Sequence, residues 1–422
     1  MQSDKVPTLV LLGAGDPDYR GYALRALSQQ YRVILIDQGP TDGQAAVVHR
    51  VLCVECHDPD AVLEALGSLE LRVDGVLTYD EFCVEAAAEV AMRLGLPHND
   101  PGAARRCRDK ASMRKALAAA AVPSARSIPV VDVAGATAAA SALGYPVVLK
   151  PSALAGSIGV VRVDHPDDLA GRFAESRSAS HGTYGASTSA MLVEEYLDGP
   201  EVSVESVVWN GSVQVLAVTR KALGPAPYFE EIGHTVAPGE PLPEQEAIIG
   251  VAIAAHAALG VRWGGTHTEL RLTSRGPRVI ELAARPAGDL IPLLVRLTTG
   301  LDQTCLAAAA LTRDGAALTR DGAAPLPPAV ERRAAAVRFF YPPHDLELSS
   351  FELQEDALNQ PWLHQFCCEA RPGQELRLPP RGFLDRAGFA IVVGPTERVC
   401  QERLDEVSGG LRLTGKPLHQ PA

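Results

Sequence analysis

Residues 264–289 read GGTHTELRLTSRGPRVIELAARPAGD, and this stretch decides the fold and the chemistry that we predict. Its two apolar segments, THTELRLT and RVIELAA, are typical of β-strands, and the turn residues SRGP separate them. Neighbouring strands would bring Glu269 and Glu281 alongside each other on one sheet. Two inward carboxylates repel each other unless a cation lies between them, and oxygen ligands suit Mg²⁺. The sequence therefore predicts a metal site for Mg²⁺, or Mn²⁺, at Glu269 and Glu281.

A second stretch, YPVVLKPSALAGSIGVVRV at 145–163, predicts a hairpin with Lys150 at the end of its first strand. Small residues at 153–159 let backbone N–H groups approach an anion closely, and the lysine adds a point charge. This combination suits a polyphosphate. The loop lacks the residue order of a P-loop, however, and no helix follows it. Taken alone, the stretch leaves a phosphate site and a plain glycine-containing hairpin both open.

Composition narrows the class of protein. The chain has 422 residues, of which 46% are hydrophobic, so we expect a globular protein of about two to four domains. Asp and Glu number 51 against 39 Lys and Arg, the net charge is −12, and no stretch is dense in basic residues; nucleic acid is therefore an unfavourable partner. The start resembles no signal peptide, and no apolar run approaches about 18 residues. We expect a cytoplasmic protein without a membrane partner.

The first hundred residues alternate strand-like and helix-like segments, which predicts a parallel α/β sheet. Gly13 and Gly15 after the first strand, with Asp37 after the next, mimic a dinucleotide-binding fingerprint. Asp18 occupies the position of the third glycine and places a negative charge where a pyrophosphate would approach. NAD binding is therefore the weaker interpretation.

The cysteines include one motif, Cys53-Val-Glu-Cys56-His57, with the spacing of a haem attachment site and of half a zinc site. Haem attachment goes with export, for which the sequence has no signal. Zinc would need a second ligand pair, and the adjacent Cys367 and Cys368 do not have that spacing. The sequence favours ordinary reduced thiols, partly buried.

Residues 311–324, LTRDGAALTRDGAA, repeat a seven-residue unit and are followed by PLPPAVE, which indicates a surface linker. Beyond it, strand-like segments and the closing helix TERVCQERLDEVSGGL predict a small α+β domain of roughly ninety residues.

The order of the segments points to a known family. RDKASMRKAL at 108–117, the hairpin at 145–163, MLVEEYLDGPEVSVE at 191–205 and the stretch 264–289 together resemble the ATP-grasp superfamily, specifically its carboxylate–amine ligases of the L-amino acid ligase type. The resemblance covers most of the chain. It implies an α/β and α+β protein with an N-terminal α/β domain (1–100), an ATP-grasp domain (101–325, with a small lobe at about 123–190) and a C-terminal α+β domain (326–422).

The same resemblance implies residues that bind ATP. Two lysines would hold the α- and β-phosphates, a small-residue loop would cover them, and a hinge strand at 193–197 would pair with adenine. The matching lysines are Lys110 and Lys150, and the loop residues are Gly156, Ser157 and Gly159. The hinge residues are Glu194, Glu195 and Leu197. Glu201 lies where the family places an acceptor for the ribose hydroxyls. The lysines could also be solvated, and Glu201 could belong to an exposed acidic turn.

Further matches concern the reaction. Arg285 would face the γ-phosphate. The segment APYFEEIGHTVAP resembles a loop that places Glu231 and His234 beside an amino-acid substrate, although His234 could simply hold the loop in place. Many ATP-grasp enzymes have E-x-N-x-R where this chain has ELAAR, with Ala283 in place of Asn; the dipeptide-forming ligases tolerate alanine there.

The resemblance implies an ATP-dependent ligase that joins a small carboxylate, an amino acid, to an amine through an acylphosphate, releasing ADP and phosphate. Its partners would be small molecules, and a homodimer is compatible with the sequence. The alternatives are a biotin-carboxylase-like enzyme, a non-catalytic ATP-binding protein and a dehydrogenase built on the N-terminal fold. Glu269, Glu281 and Arg285 disfavour a non-catalytic protein.

Overall fold

The computed structural model describes residues 6–181, 190–312 and 333–418. The N-terminal part is a four-stranded parallel sheet with helices on its faces, as the alternating pattern predicts. Its elements are β1 (Thr8–Leu12), α1 (Pro17–Gln30), β2 (Arg32–Ile36), α2 (Asp42–Val47), β3 (Arg50–Leu52), α3 (Pro59–Gly67), β4 (Gly75–Thr78) and α4 (Val84–Arg93). The strand order is β3-β2-β1-β4. Asp37 accepts hydrogen bonds from the N–H groups of Ala14 and Gly39, so its carboxylate is used within its own loop.

A small antiparallel sheet of order β5-β8-β6-β7 forms the second part of the fold. Its elements, with the two helices before it, are α5 (Pro101–Arg108), α6 (Lys110–Ala119), β5 (Ser127–Val130), α7 (Val133–Leu143), β6 (Val147–Pro151), β7 (Val161–Val163), α8 (Leu169–His181) and β8 (Met191–Glu195). Strands β6 and β7 pair directly, so the predicted hairpin is confirmed.

The third part begins with β9 (Glu201–Trp209), β10 (Ser212–Leu223), β11 (Glu231–Val236), α9 (Gln245–Leu259), β12 (Gly264–Thr273), β13 (Gly276–Ala283), α10 (Ile291–Thr299) and α11 (Gln303–Leu311). The chain then forms β14 (Ala334–Phe340), β15 (Leu346–Leu353), α12 (Glu355–Leu358), β16 (Leu363–Cys368), β17 (Glu375–Leu376), β18 (Gly388–Gly394), α13 (Glu397–Gly409) and β19 (Leu411–Pro417). Helix α13 confirms the predicted closing helix.

One antiparallel sheet of eight strands, β13-β12-β9-β10-β11-β14-β18-β16, runs through both of these series, and a second sheet has the order β17-β15-β19. Three strands from beyond residue 325 therefore complete the sheet that carries Glu269. The domain limits stay a prediction. Most of the repeat at 311–324, from residue 313 onward, lies outside the described residues. Within the described ranges, no helix has both the length and the apolar character that crossing a membrane requires.

Candidate nucleotide and substrate site

A cleft of about 1290 Å³, including the space open to solvent, lies between the small sheet and the eight-stranded sheet. It is lined by most of the residues that the sequence singles out: Lys110, Lys150, Gly156, Ser157, Glu194, Glu195, Leu197, Glu201, Glu231, Glu269, Glu281 and Arg285. Gly159 and His234 are not among the lining residues. The fold thus brings together side chains that are up to 175 positions apart in the sequence, from Lys110 to Arg285.

The predicted carboxylate pair is present. Glu269 on β12 and Glu281 on β13 are direct cross-strand partners, and the register shifts by one residue immediately beyond them. Lys221 Nζ lies 2.5 Å from Glu269 Oε1, and Lys110 Nζ lies 2.9 Å from Glu281 Oε2. A β-bulge beside a site re-aims side chains. Two facing carboxylates that already attract cationic groups fit a divalent metal ion with oxygen ligands.

Lys221 contacts the site, although no sequence motif selects it. Its ammonium is buried and contacts three carboxylates, with Nζ to oxygen distances of 3.1 Å to Glu201, 2.8 Å to Glu231 and 2.5 Å to Glu269. Burial alone would lower the pKa of Lys221, but these carboxylates raise that pKa well above its usual range. The side chain is therefore a fixed positive charge behind the wall of the cleft, in contact with three carboxylates that line it.

The register of the large sheet explains why these charges meet. Arg271 on β12, Glu201 on β9, Lys221 on β10 and His234 on β11 are successive cross-strand partners. Directly opposite residues of antiparallel strands point to the same face. The first three members therefore alternate positive, negative and positive groups, the imidazole of His234 follows as the fourth, and Arg271 Nε donates to Glu201 at 3.0 Å. Burial raises the pKa of Glu201, with Glu269 adding to the shift and Lys221 and Arg271 opposing it.

Lys150 forms a second charged cluster, on the small sheet. Its Nζ lies 2.5 Å from Glu194, whose carboxylate also accepts two hydrogen bonds from Arg114, at 2.7 and 3.1 Å. Burial lowers the pKa of Lys150 to about 8, although Glu194 opposes the shift. Burial alone would raise the pKa of Glu194, but Arg114 and Lys150 bring it to about 2. Arg114, which also lines the cleft, belongs to the segment at 108–117 but was missed because only Lys110 of that segment was matched to a role.

The small-residue loop after β6 has the backbone that its composition suggests. Gly156, Ser157 and Gly159 all have positive φ angles, of 64°, 56° and 73°. Gly156 and Ser157 line the cleft. Gly159 instead packs against α8, where a Cβ would lie 2.9 Å from the carbonyl oxygen of Ser176. The glycine at 159 is thus required for close packing, while the first two residues face the predicted phosphate site.

The hinge residues occupy the wall beside β8. The strand ends at Glu195, so Leu197 lies beyond the hydrogen-bond ladder, and it lines the cleft. The Glu195 carboxylate accepts from the backbone N–H of Arg126 at 3.1 Å and from Arg275 Nη2 at 3.1 Å. The side chain of Glu195 therefore braces the hinge, and the backbone at residue 197 remains the part suited to a base edge.

Arg285 is held by an acid from the N-terminal sheet. Its Nε donates to Glu81 at 2.6 Å, and the other Glu81 oxygen accepts from Arg108 at 2.8 Å. Glu81 lies in a 3₁₀ turn, Glu81–Cys83, that follows β4. Burial alone would raise the pKa of Glu81, but Arg285 and Arg108 lower it to about 2. The ionised Glu81 carboxylate therefore holds the Arg285 side chain in position. Glu81 was also missed from the sequence.

The expectation that Glu231 and His234 belong to a loop is wrong. Residues Glu231–Val236 form β11, which pairs with β10 on one side and β14 on the other. The β-branched residues of EIGHTV suit a strand enclosed on both sides. Glu231 lines the cleft, whereas the His234 side chain is buried, with Nε2 lying 3.2 Å from Glu231 and 3.1 Å from Asp289.

Asp289 and Arg386 complete this end of the cleft, and both line it. Arg386 reaches Asp289 with both terminal nitrogens, at 2.9 and 3.1 Å, and stacks over the ring of Phe339 at 3.6 Å. Burial alone would raise the pKa of Asp289, but Arg386 and His234 hold it well below its usual range. Arg386 was missed because it precedes β18, nearly a hundred residues after the stretch at 264–289.

The fold and the site define a class of nucleotide-binding protein in which a cleft between two sheets holds basic side chains and a facing pair of carboxylates. Comparison with known proteins gives the family. Residues 143–292 match the ATP-grasp domain and residues 25–98 match the ATP-grasp N-terminal domain. The D-alanine–D-alanine ligase of Desulforudis audaxviator is 31% identical over 233 residues, which cover 48% of this chain and 73% of that protein. The chain therefore belongs to the ATP-grasp family, and the resemblance found in its sequence is confirmed.

Two further similarities extend over more of the chain. Carnosine synthase 1 of Gallus gallus is 28% identical over 347 residues, covering 78% of this chain and 36% of that protein. The crystal structure of the L-amino acid ligase from Bacillus licheniformis superimposes with a TM-score of 0.80 at 22% identity, over 98% of this chain and all of that one. The chain spans 36–63% of the length of three of the curated relatives that it matches. At such identity the structural match shows the fold.

Proposed function

We propose that this protein is an ATP-dependent carboxylate–amine ligase that activates an amino acid as an acylphosphate. The observation that carries the proposal is that one cleft holds both Glu269–Glu281, suited to a metal–triphosphate complex, and the group formed by Glu231, His234, Asp289 and Arg386. The relatives named above include, by their names, a D-alanine–D-alanine ligase and an L-amino acid ligase, which supports the same class of reaction.

In the proposed complex, Lys110 and Lys150 bind phosphate oxygens, and each exchanges part of its contact with Glu281 or Glu194 for the nucleotide. Glu269 and Glu281 hold Mg²⁺ or Mn²⁺. When bound, this ion neutralises charge on the phosphates as a Lewis acid. Arg285 supplies fixed positive charge beside the transferring phosphoryl group, where such preorganised charge lowers the barrier most, and the buried Lys221 holds Glu269 in place.

The first step forms a bond between a substrate carboxylate oxygen and the γ-phosphorus while the bond from that phosphorus to the β–γ bridging oxygen breaks, and ADP leaves. In the second step, the amine nitrogen attacks the acyl carbon, the bond from this carbon to the phosphate oxygen breaks, and the nitrogen loses a proton. Phosphate leaves with one oxygen of the original carboxylate.

Charged groups at the far end of the cleft suit an α-amino acid. Glu231 and Asp289 can accept hydrogen bonds from an ammonium group, and Arg386 can donate to a carboxylate. Water must be kept from the acylphosphate between the two steps. The loop at Gly156 approaches Leu384 so closely that a Cβ would lie 3.0 Å from its Cδ1, so the C-terminal segment and the phosphate loop together narrow the entrance. The proposal includes a cytoplasmic location; a homodimer is compatible with it.

Oxygen transfer tests the mechanism directly. The protein is incubated with MgATP, an amine donor and amino acids labelled with ¹⁸O in the carboxylate, and the products are measured by mass spectrometry. We expect a new amide, ADP rather than AMP, and phosphate carrying one ¹⁸O atom. Glu281→Gln should abolish the label transfer, whereas Glu246→Gln on the exposed face of α9 should not. AMP with pyrophosphate, or unlabelled phosphate alongside the amide, would refute the acylphosphate.

A further inference from the structure

Two thiols and an imidazole meet outside the cleft, beyond the carboxyl ends of the parallel strands. Cys56 and His57 follow β3, and Cys83 lies in the 3₁₀ turn after β4. Because the carboxyl ends of parallel strands lie on the same edge of the sheet, the two segments come together there although their strands are at opposite ends of the strand order. These three residues do not line the nucleotide cleft.

The ligand atoms of this cluster are closely grouped. Cys56 Sγ lies 3.3 Å from Cys83 Sγ and 3.8 Å from His57 Nδ1, and all three atoms are within 4.8 Å of one another. Both thiols are buried, while the His57 side chain is 48% exposed. The cluster is therefore fixed by the core on its sulfur side and open to solvent on its imidazole side.

The sulfur–imidazole distance is close to that around a tetrahedral ion, and the two sulfurs lie about 0.5 Å closer together than such an ion holds them. Zinc–sulfur bonds of about 2.3 Å and zinc–nitrogen bonds of about 2.0–2.1 Å place two sulfur ligands about 3.8 Å apart and a sulfur and a nitrogen about 3.6 Å apart. A disulfide would need the sulfurs at about 2.0 Å and would make no use of His57. Thiolate and imidazole ligands favour Zn²⁺ over Mg²⁺ and Ca²⁺.

We propose that Cys56, His57 and Cys83 form a site for one Zn²⁺ ion, with its fourth position open to solvent. Binding takes a proton from each thiol and replaces the contact between His57 Nδ1 and Glu55 Oε1, which is 2.5 Å long in the metal-free protein. Zinc was rejected from the sequence because a second ligand pair with the required spacing is missing. The fold instead supplies a single distant thiol, Cys83.

The position of Cys83 links this site to the cleft. Cys83 ends the 3₁₀ turn that begins with Glu81, the residue that holds Arg285. An ion on Cys83 would fix that turn. The expected consequence is a more stable N-terminal sheet, because a ligand that binds only the folded state raises its stability.

Cobalt spectroscopy tests the site in the full-length protein. Reduced, EDTA-treated protein is titrated with Co²⁺ under argon. We expect a sulfur-to-cobalt charge-transfer band in the near ultraviolet with intense visible bands, saturation at one ion per chain, loss of the bands on adding Zn²⁺, and a raised Tm. The carboxylates of the cleft offer only oxygen ligands and give no such band.

Single substitutions test which residues bind Zn²⁺. Loss of a residue that only hydrogen-bonds to a metal ligand weakens metal affinity by about 10–100-fold, so Cys83→Ser and Cys56→Ser should weaken Zn²⁺ binding by more than about 100-fold. Because His57 is exposed, His57→Ala does not disturb the core. This change should also weaken Zn²⁺ binding. Cys53→Ser, in the same motif but exposed, is the matched control and should bind normally. An unchanged cobalt spectrum in His57→Ala, or a Cys56–Cys83 disulfide in peptide mass spectra with no cobalt band in the reduced protein, would overturn the proposal.

Discussion

Glu269 and Glu281 face each other directly across the ladder between β12 and β13, and each is contacted by a different lysine. Lys221 reaches Glu269 from β10, and Lys110 reaches Glu281 from the first turn of α6. Like charges directly opposite one another destabilise a sheet. The two lysines offset that repulsion and hold the acidic pair in place.

Replacing one member of this pair should affect turnover more than folding. Glu281→Gln keeps the shape of the side chain but removes one negative charge from the predicted metal site, and loss of such electrostatic stabilisation costs about 10²-fold or more in kcat. Steady-state kinetics at saturating MgATP would measure this, with Glu246→Gln as the control for a surface substitution. Near-normal turnover at ordinary magnesium concentrations would contradict the metal assignment.

Lys221→Met should destabilise the protein because Glu201, Glu231 and Glu269 would lose their shared cation. Removing one partner of a buried charge cluster costs about 3–5 kcal/mol. The oxygens of these three carboxylates lie within 4.8 Å of one another, so Mg²⁺ should raise the Tm of the variant more than that of the wild type. Urea unfolding and thermal melts with and without Mg²⁺ measure both effects. The exposed Lys115→Met change serves as control, and a variant as stable as the wild type would contradict the assigned role of Lys221.

The sequence predicted those parts of the fold and site that depend on local pattern. The strands around Glu269 and Glu281 alternate and are joined by a short turn, so their juxtaposition followed from neighbouring strands alone. The hairpin at Lys150 and the parallel N-terminal sheet were predictable for the same reason. The roles of the ATP-binding residues followed from the family resemblance, and the geometry places most of them in one cleft.

Other site residues depend on register and long-range packing, which no local pattern reveals. Lys221 enters the site only because β10 lies between β9 and β11, and Glu81 does so because a turn from the first sheet reaches Arg285. The segment at Glu231 was predicted to be a loop because a histidine beside a glycine is typical of loops. Its pairing with β14, more than a hundred residues later, makes it a central strand.

His234 should affect use of the amino acid rather than binding of ATP. Its Nε2 contacts Glu231 and Asp289 at the end of the cleft proposed for the acyl substrate. His234→Gln should leave the Kd for ATP within about threefold, which is less than roughly 0.7 kcal/mol, and lower kcat/KM for the amino acid by at least about tenfold. His234→Ala should show the same difference with an added loss of stability, because the ring packs edge-on against Phe339.

The neighbouring residue on the opposite face of β11 provides the control for this experiment. Thr235 accepts a hydrogen bond from Gln401 on α13, away from Asp289. Thr235→Val should therefore change stability without changing amino-acid dependence. If calorimetry shows that His234→Gln loses ATP affinity while its kcat/KM for the amino acid is normal, His234 belongs to the nucleotide site or to the fold.

His267 should give the metal-free protein a pH-dependent stability. Burial alone would lower its pKa, but Glu205 and Glu269 raise the pKa of His267 to about 10, whereas an unfolded histidine titrates near 6.5. The stabilisation is therefore complete below about pH 6.5 and is lost as the pH rises to about 10. Between pH 8 and 9, the free energy of unfolding should fall by about 1.4 kcal/mol per unit from this one proton.

His256 offers a matched control for that measurement. It is also buried, but burial lowers its pKa to about 4, so it is neutral between pH 8 and 9 in both states. In urea unfolding with EDTA, His267→Gln should flatten the pH slope in this range and His256→Gln should not. Equal slopes in the wild type and His267→Gln would show that His267 is not held as a cation by its two carboxylates.

Gly199 should be required for the position of Glu201, two residues later. Its φ angle is 84°, its carbonyl accepts from Arg271 at 2.8 Å, and a Cβ at this position would collide with the backbone carbonyl of Leu272. Gly276, in the turn between β12 and β13, has a similar φ of 89° but open space around it. Gly276→Ala should therefore cost only the left-handed backbone penalty of about 1–2 kcal/mol. Gly199→Ala should cost more than that in urea unfolding and should also weaken ATP binding in calorimetry, because the collision displaces the strand that begins at Glu201. Equal destabilisation by the two changes, with ATP affinity intact in both, would show that close packing at Gly199 does not set the ribose end of the cleft.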